Sequence, residues 1–175
     1  KNMSKTLLVI DMLVGFLEPG RPLYVGDEAV KIISRVEQLI VQEKTKGTTI
    51  LFVGDSHDVG DLEFQMFPEH CIKGTEEANV IDRLVPYVDS IVTKRRYSAF
   101  FDTDLDDRLK KSGTQELMLA GVCTDICVMH TAADARNRDL AVEVVSGAVA
   151  SFDQGAHKYA LHHMGTILGV TVKDE

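Results

Sequence analysis

Gln115-Glu116-Leu117-Met118-Leu119-Ala120-Gly121-Val122-Cys123-Thr124-Asp125-Ile126-Cys127-Val128-Met129-His130-Thr131-Ala132-Ala133-Asp134-Ala135 passes from one kind of periodicity to another. Leu117 to Ala120 is a short apolar run that suits a buried parallel strand, and Gly121 breaks it. From about Thr124 the pattern is helical, with Thr124 or Asp125 as the cap and Val128, Ala132 and Ala135 on one face. Cys127 then falls in the first turn of a helix that begins just beyond the carboxyl end of a strand. Free N–H groups and the positive end of the helix dipole gather there, which lowers a thiol's pKa. A buried structural cysteine fits this stretch equally well. The rest of the chain has to decide.

Outward from this unit, the same alternation recurs. Thr6 to Ile10 reads as a first strand ending at Asp11, and Asp27 caps a long helix with Ala29, Ile32, Ile33, Val36, Leu39 and Ile40 at helical spacing. Thr48 to Val53 is a second strand, ending in Gly54-Asp55-Ser56-His57. Residues 58–75 are irregular, and a loop this long is functional or disordered. Glu76 to Leu84 reads as a short helix, Ser90 to Thr93 as a third strand ending at Lys94, and Asp102 to Ser112 as a helix capped by Thr103. Ala141 to Val145, a helix from Asp153 to about Gly165 and a strand over Gly169 to Val172 complete the chain. These elements predict an α/β, three-layer, Rossmann-like fold: a mainly parallel six-stranded sheet flanked by helices on both faces, in one domain over 3–175.

Composition narrows the partners. Hydrophobic residues make up 45% and charged residues 26%, as in soluble globular proteins. A net charge of −8, with Lys94-Arg95-Arg96 as the only basic cluster, argues against nucleic acid and anionic membranes. No apolar run is long enough to cross a bilayer. With no signal peptide before the first strand and three cysteines too sparse for a disulfide framework, the expected compartment is the cytoplasm.

Ligands of open parallel sheets bind outside the carboxyl ends of the strands, and Asp11, Asp55, His57, Lys94 and the Cys127 turn all follow strand ends. Asp11, Lys94 and Cys127 make a nucleophile set. A desolvated carboxylate can take the thiol proton, a lysine ammonium supports both anions, and the Gly121–Cys127 backbone offers N–H groups to an oxyanion. Taken singly, Asp11 reads equally as a loop cap and Lys94 as a solvated charge. Asp55 and His57 project to the same side of an extended segment, and Glu63 and His70 can return to them from the loop. Oxygen and imidazole ligands suit one divalent metal ion, zinc, iron or manganese. For Asp55-Ser56-His57 alone, an ordinary hydrogen-bonded loop is the simpler reading.

Taken together, Ile10-Asp11, Asp55-Ser56-His57-Asp58, Phe67 through Thr75, Lys94 through Phe100 and Gly121 through Val128 resemble the nicotinamidases of the isochorismatase-like cysteine hydrolase superfamily. The motifs keep the family's order along nearly the whole chain, and the His-Cys-Ile-Lys-Gly-Thr end of the metal loop is what singles out nicotinamidases. The resemblance implies that Cys127 is the nucleophile, Asp11 the general base and acid, and Lys94 the third triad member. It implies Asp55, His57 and His70 as metal ligands, with Glu63 a fourth found in some members and zinc the leading metal. It also implies a cis Val122–Cys123 peptide aiming the N–H groups of Cys123 and Cys127 into an oxyanion hole, pocket walls from Phe16, Phe67 and Tyr97, and a homo-oligomer. The implied reaction is hydrolysis of nicotinamide to nicotinate and ammonia in NAD salvage, with pyrazinamide as a second substrate. The alternatives are an amidohydrolase of the superfamily acting on an open-chain amide or ureido compound, and a non-catalytic partner-binding domain.

The chain departs from the family where Leu13, Val14 and Gly15 replace polar residues after the first strand, and where Glu69 replaces a proline before His70. Cys71 and Cys123 are not expected to be nucleophiles, since neither sits in a helix's first turn. His130 reads as a packed or surface residue, and His157, His162 and His163 as solvated or interface residues. The Glu76-Glu77 pair suits a helix N-terminus.

Overall fold

The computed structural model describes residues 4–174. Six strands, β1 (Lys5–Ile10), β2 (Thr49–Asp55), β3 (Ile91–Lys94), β4 (Glu116–Val122), β5 (Ala141–Ala150) and β6 (Thr171–Lys173), form one sheet in the order β3-β2-β1-β4-β5-β6. Every pairing is parallel. Parallel strands need crossovers, and the helices that supply them cover both faces. Alternation along each strand divides the core accordingly. Leu7, Val9, Ile50, Phe52, Met118 and Ala120 pack against Ala29, Val36, Leu39 and Ile40 of α2 (Asp27–Lys31) and α3 (Ile33–Thr45). Leu8, Ile10, Leu51, Val53, Leu117 and Leu119 pack on the opposite face. Their partners include Leu105 and Leu109 of α4 (Leu105–Lys111), Ala132 and Ala135 of α5 (Met129–Asn137), and Ala160 and Met164 of α6 (Gln154–Thr166). The remaining helix, α1 (Val14–Leu17), is a single buried turn after β1. Among the described residues no helix is long and apolar enough to cross a membrane.

Strand order reverses at β1: the chain builds outward through β2 and β3, then returns to the other side of β1 with β4. A crevice opens beyond the carboxyl ends at such a reversal. Asp11 follows β1 and the Cys127 turn follows β4, so the reversal places the two side by side.

Five local expectations are corrected. Gly121 does not end its strand, which runs on to Val122. Gly121 stands at φ 118°, and a Cβ there would lie 2.0 Å from the Ile10 carbonyl oxygen, so glycine permits the close approach of β4 to β1. The helix expected from Asp27 is two helices meeting at Ile32. Its cap is Gly26, because the Asp27 carboxylate is taken by the Tyr24 hydroxyl at 2.7 Å. Residues 76–84 are not a continuous helix. Val14 N–H donates to the Asn79 carbonyl and Ile81 N–H to the Met12 carbonyl, which draws this segment out against 12–14 and leaves one short 3₁₀ turn, Glu76–Ala78. The helix expected at Asp102 starts at Leu105, with Thr103 Oγ1 accepting from the Leu105 N–H at 3.3 Å. β5 also extends to Ala150, five residues past the expected end.

Candidate active site

Each expected catalytic side chain stands where a strand stops. Asp11, directly after β1, has φ 54°, a strained value for a non-glycine residue, and is held by its N–H donating to the Val53 carbonyl at 2.8 Å. Lys94 ends β3 opposite Asp55, which ends β2. Cys127 lies in a π-helical turn, Thr124–Val128, that precedes α5. Its cap position is Cys123, so neither Thr124 nor Asp125 serves as the cap. The peptide bond between Val122 and Cys123 is cis, as the resemblance implied.

These groups meet. Lys94 Nζ is 3.1 Å from Asp11 Oδ2, 2.5 Å from Asp55 Oδ1 and 3.3 Å from Cys127 Sγ, with its side chain fully buried. A buried ammonium is costly unless paired, and two carboxylates supply the pairing. Burial opposes the lysine's charge, but Asp11 and Asp55 hold its pKa well above the ordinary value. Asp11 is pushed up to about 6 by burial and by the Asp55 charge, against the pull of Lys94. Its Oδ2 makes the ion pair but no aligned hydrogen bond, so a lone pair is left for a proton.

Burial and the Asp11 charge also push the Cys127 thiol well above its usual range, with Lys94 offsetting only part. The expectation that the helix start would ionise this thiol is therefore corrected. Desolvation beside a carboxylate outweighs the dipole, and the resting pair is a neutral thiol facing an ionised Asp11.

A second constellation adjoins the first. Asp55 Oδ2 lies 3.4 Å from His57 Nε2 and 3.7 Å from His70 Nε2, while Glu63 Oε2 lies 3.2 Å and 3.3 Å from the same nitrogens. All four residues are buried. Two ligands of a tetrahedral ion bound at about 2.1 Å stand roughly 3.4 Å apart, close to all four separations. Proton placement points the same way. His70 Nδ1 donates to the Pro68 carbonyl at 2.7 Å, and His57 Nδ1 bonds Asp61 Oδ2 at 3.0 Å. With Nδ1 so engaged, each ring when neutral turns a bare Nε2 toward carboxylate oxygens, a set of acceptors that needs a cation at its centre. A proton can also fill that place: burial opposes charge on His70, yet the hydrogen bonds its ring donates to the Asp55 and Glu63 carboxylates push its pKa up to about 10.

The long loop returns His70 because it closes on itself. His57 N–H donates to the Cys71 carbonyl and Lys73 N–H to the His57 carbonyl, so 58–71 is a tied excursion. Asp61, which sequence reasoning did not single out, holds the excursion together. It caps the 3₁₀ turn Leu62–Gln65 by accepting from the Glu63 N–H at 2.8 Å, orients His57, and takes Arg96 Nη1 at 2.9 Å. A carboxylate four residues after a ligand histidine was the available signal.

Both constellations open into one small cavity, lined among others by Asp11, Asp55, Glu63, His70 and Cys127. The expected walls Phe16, Phe67 and Tyr97 all line it, with Ile126 added from the Gly121–Val128 motif and Leu23 and Phe152 from segments that carried no motif. Cys71 is not in this cavity, while Cys123 is; burial pushes both thiols well above the ordinary cysteine range.

Comparison with known proteins places this geometry. The isochorismatase domain model matches residues 5–174. The chain belongs to the isochorismatase family. Among solved family members, the pyrazinamidase/nicotinamidase from Streptococcus mutans UA159 is 39% identical, with a TM-score of 0.92 over 97% of this chain and 99% of its own. The pyrazinamidase of Pyrococcus horikoshii in complex with zinc is 31% identical, with a TM-score of 0.90 over 98% of this chain and 99% of its own. The N-carbamoylsarcosine amidase from Thermoplasma acidophilum is 34% identical, with a TM-score of 0.88 over 99% of this chain and 98% of its own. The isochorismatase fold is thus shared by amidases with and without a pyridine-type ring substrate in their names, and the choice between them falls to the cavity.

Proposed function

We propose that this hydrolase of amide C–N bonds is a metal-dependent nicotinamidase, converting nicotinamide and water to nicotinate and ammonia in NAD salvage, with pyrazinamide as a second substrate. The observation that carries the reading is Asp55: one oxygen pairs with Lys94 beside Cys127, and the other faces His57 and His70. A thiol and a four-ligand metal site therefore share one small cavity. Asp55, His57, Glu63 and His70 would hold the ion, zinc ahead of iron or manganese. When bound there, a divalent metal supplies an electrophilic anchor for a ring nitrogen.

The protein's own groups account for the chemistry. Asp11 takes the thiol proton as Cys127 Sγ bonds to the amide carbon, and the carbonyl oxygen becomes an oxyanion beside the N–H groups of Cys123 and Cys127. Asp11 returns that proton to nitrogen as the C–N bond breaks and ammonia leaves, giving a thioester. Asp11 next takes a proton from water, the hydroxide oxygen bonds to the thioester carbon, and the C–S bond breaks. The sulfur recovers the proton from Asp11 as the acid leaves. A base with a pKa near 6 suits both directions of this transfer near neutral pH.

The rival substrates fit less well. A carbamoyl amino acid carries a carboxylate, and the cavity lining holds Asp11, Asp55 and Glu63 but neither lysine nor arginine to meet it. Phe16, Leu23, Phe67, Ile126 and Phe152 instead offer apolar walls to a flat neutral ring. A purely partner-binding domain has no use for a buried thiol, carboxylate and ammonium in mutual contact. Ammonia release is the test. The reading expects turnover of nicotinamide to exceed that of an N-carbamoyl amino acid by at least about 100-fold, and the reverse order would replace it with the ureido-hydrolase reading.

A further inference from the structure

One segment outside the catalytic set grips the turn that carries Cys127. Ser151–His157 joins β5 to the first turn of α6 and reaches Cys123, Thr124 and Asp125 in succession. The Phe152 backbone bonds the Cys123 thiol, Ser151 Oγ donates to Asp125 Oδ1, and His157 Nδ1 bonds Thr124 Oγ1 at 2.7 Å. Thr124 opens the π-helical turn and is fully buried, so its hydroxyl depends on what the protein provides. His157 is itself fixed, because Asp153 caps α6 by accepting from the Ala156 N–H at 2.7 Å. The ring is half-buried rather than on a solvated face, which corrects the expectation from sequence. Burial lowers its pKa, so the neutral ring can accept the Thr124 hydroxyl proton.

We propose that His157 is a positioning residue for the reaction: through Thr124 it fixes the Cys123–Cys127 turn, so that backbone N–H groups meet the developing oxyanion. The proposal rests on the amide-hydrolysis reading. His157 lies outside the cavity lining and touches no reacting atom. It acts on the transition state and not on the thiol. The remaining contacts, at Ser151 and Phe152, hold the same turn against collapse when His157 is removed.

The test compares His157→Ala, His157→Asn, Thr124→Val and the Ala/Val double variant in the metal-loaded enzyme. Deleting an oxyanion donor outright costs roughly 10²–10³-fold in kcat, so misaligning one should cost about 10–30-fold. His157→Ala should lose that much kcat on nicotinamide, with KM changed less than about twofold. His157→Asn, which can place an atom where Nδ1 stands, should recover most of the loss. The double variant should be no slower than the slower single one, as for two members of one contact. Alkylation of Cys127 by iodoacetamide passes through no oxyanion and should stay within about twofold of wild type. An unchanged kcat in His157→Ala with a lowered melting midpoint would reduce His157 to a structural contact. A parallel loss of alkylation would place its effect on the thiol, and either result overturns the proposal. If wild type released no ammonia from nicotinamide, the substrate reading would fail by itself. Acylation of Cys127 by p-nitrophenyl acetate, which does form an oxyanion, would then carry the same comparison among the variants.

Discussion

Asp11, Lys94 and Cys127 are each carried by a strand end or the turn beyond one, whereas Glu63 and His70 stand on the irregular excursion between β2 and β3. The strand-borne half is held by the sheet itself: the Asp55–Lys94 register and the Asp11 N–H to Val53 bond are continuations of the ladder. The loop-borne half is held by side chains, with Asp61 tying His57, Glu63 and Arg96 together. Asp55 belongs to both. On the proposed function, the difference separates two tasks, covalent chemistry on the rigid edge and substrate selection on the part whose support comes from a few replaceable groups.

The division can be broken most severely at the thiol. Cys127→Ala should lose at least about 10⁴-fold in turnover, with an unchanged melting midpoint and no acyl adduct in the mass spectrum. Near-normal activity in that variant would remove the strand-borne half from the chemistry altogether.

Lys94→Met comes next. It leaves two carboxylates buried side by side, and breaking such an arrangement costs about 3–5 kcal/mol of stability. The pKa of Asp11 should rise further and the thiol should become harder to ionise, visible in a pH titration of iodoacetamide alkylation. An unshifted thiol titration would leave Lys94 a structural role only.

The pH profile is a milder probe of the same half. Asp11 acts as a base only when ionised, and its pKa is raised to about 6. kcat/KM should therefore fall as pH drops through about 6, and by tenfold per unit below it. An acid limb near the ordinary carboxylate value would mean that Asp11 is not the group being read.

How much of this division could be read beforehand differs between the halves. Strand-end placement is a pattern in the chain, so Asp11, Asp55, His57, Lys94 and Cys127 all emerge from apolar runs that stop at a polar residue. The sheet's reversal at β1 and the return of Glu63 and His70 do not follow from any local pattern. They depend on bonds such as His57 N–H to the Cys71 carbonyl, which join residues far apart in the chain. The thiol's ionisation went the other way for a related reason. The helix start is visible in sequence, but the depth of burial beside Asp11 is a property of the packed core. Asp61 was missed, and His157 was read as a solvated or interface residue, because each contacts a side chain distant in the chain that no local pattern announces. The stretch 76–84 has helical composition, and pairing with 12–14 overrides it.

Asp61→Asn is the smallest of the expected effects and confined to the loop-borne half. Outer partners of ligand histidines are worth about 10–100-fold in metal affinity. The variant should therefore need more metal for half-maximal activity while reaching near-normal kcat at saturation, as metal titration would show. A lowered kcat at saturating metal, with affinity intact, would join the loop to the chemical step and blur the division.

The most direct test of the division measures ammonia release from nicotinamide and from benzamide, which lacks the ring nitrogen, before and after metal removal. Thermal melting run in parallel must show the chelated protein still folded. The account predicts that chelation, like His57→Ala, abolishes nicotinamide hydrolysis, while the already slow turnover of benzamide falls proportionally much less. Equal proportional losses on the two substrates, with the fold intact, would contradict ring-nitrogen anchoring and make the metal a participant in the chemistry of the strand-borne half.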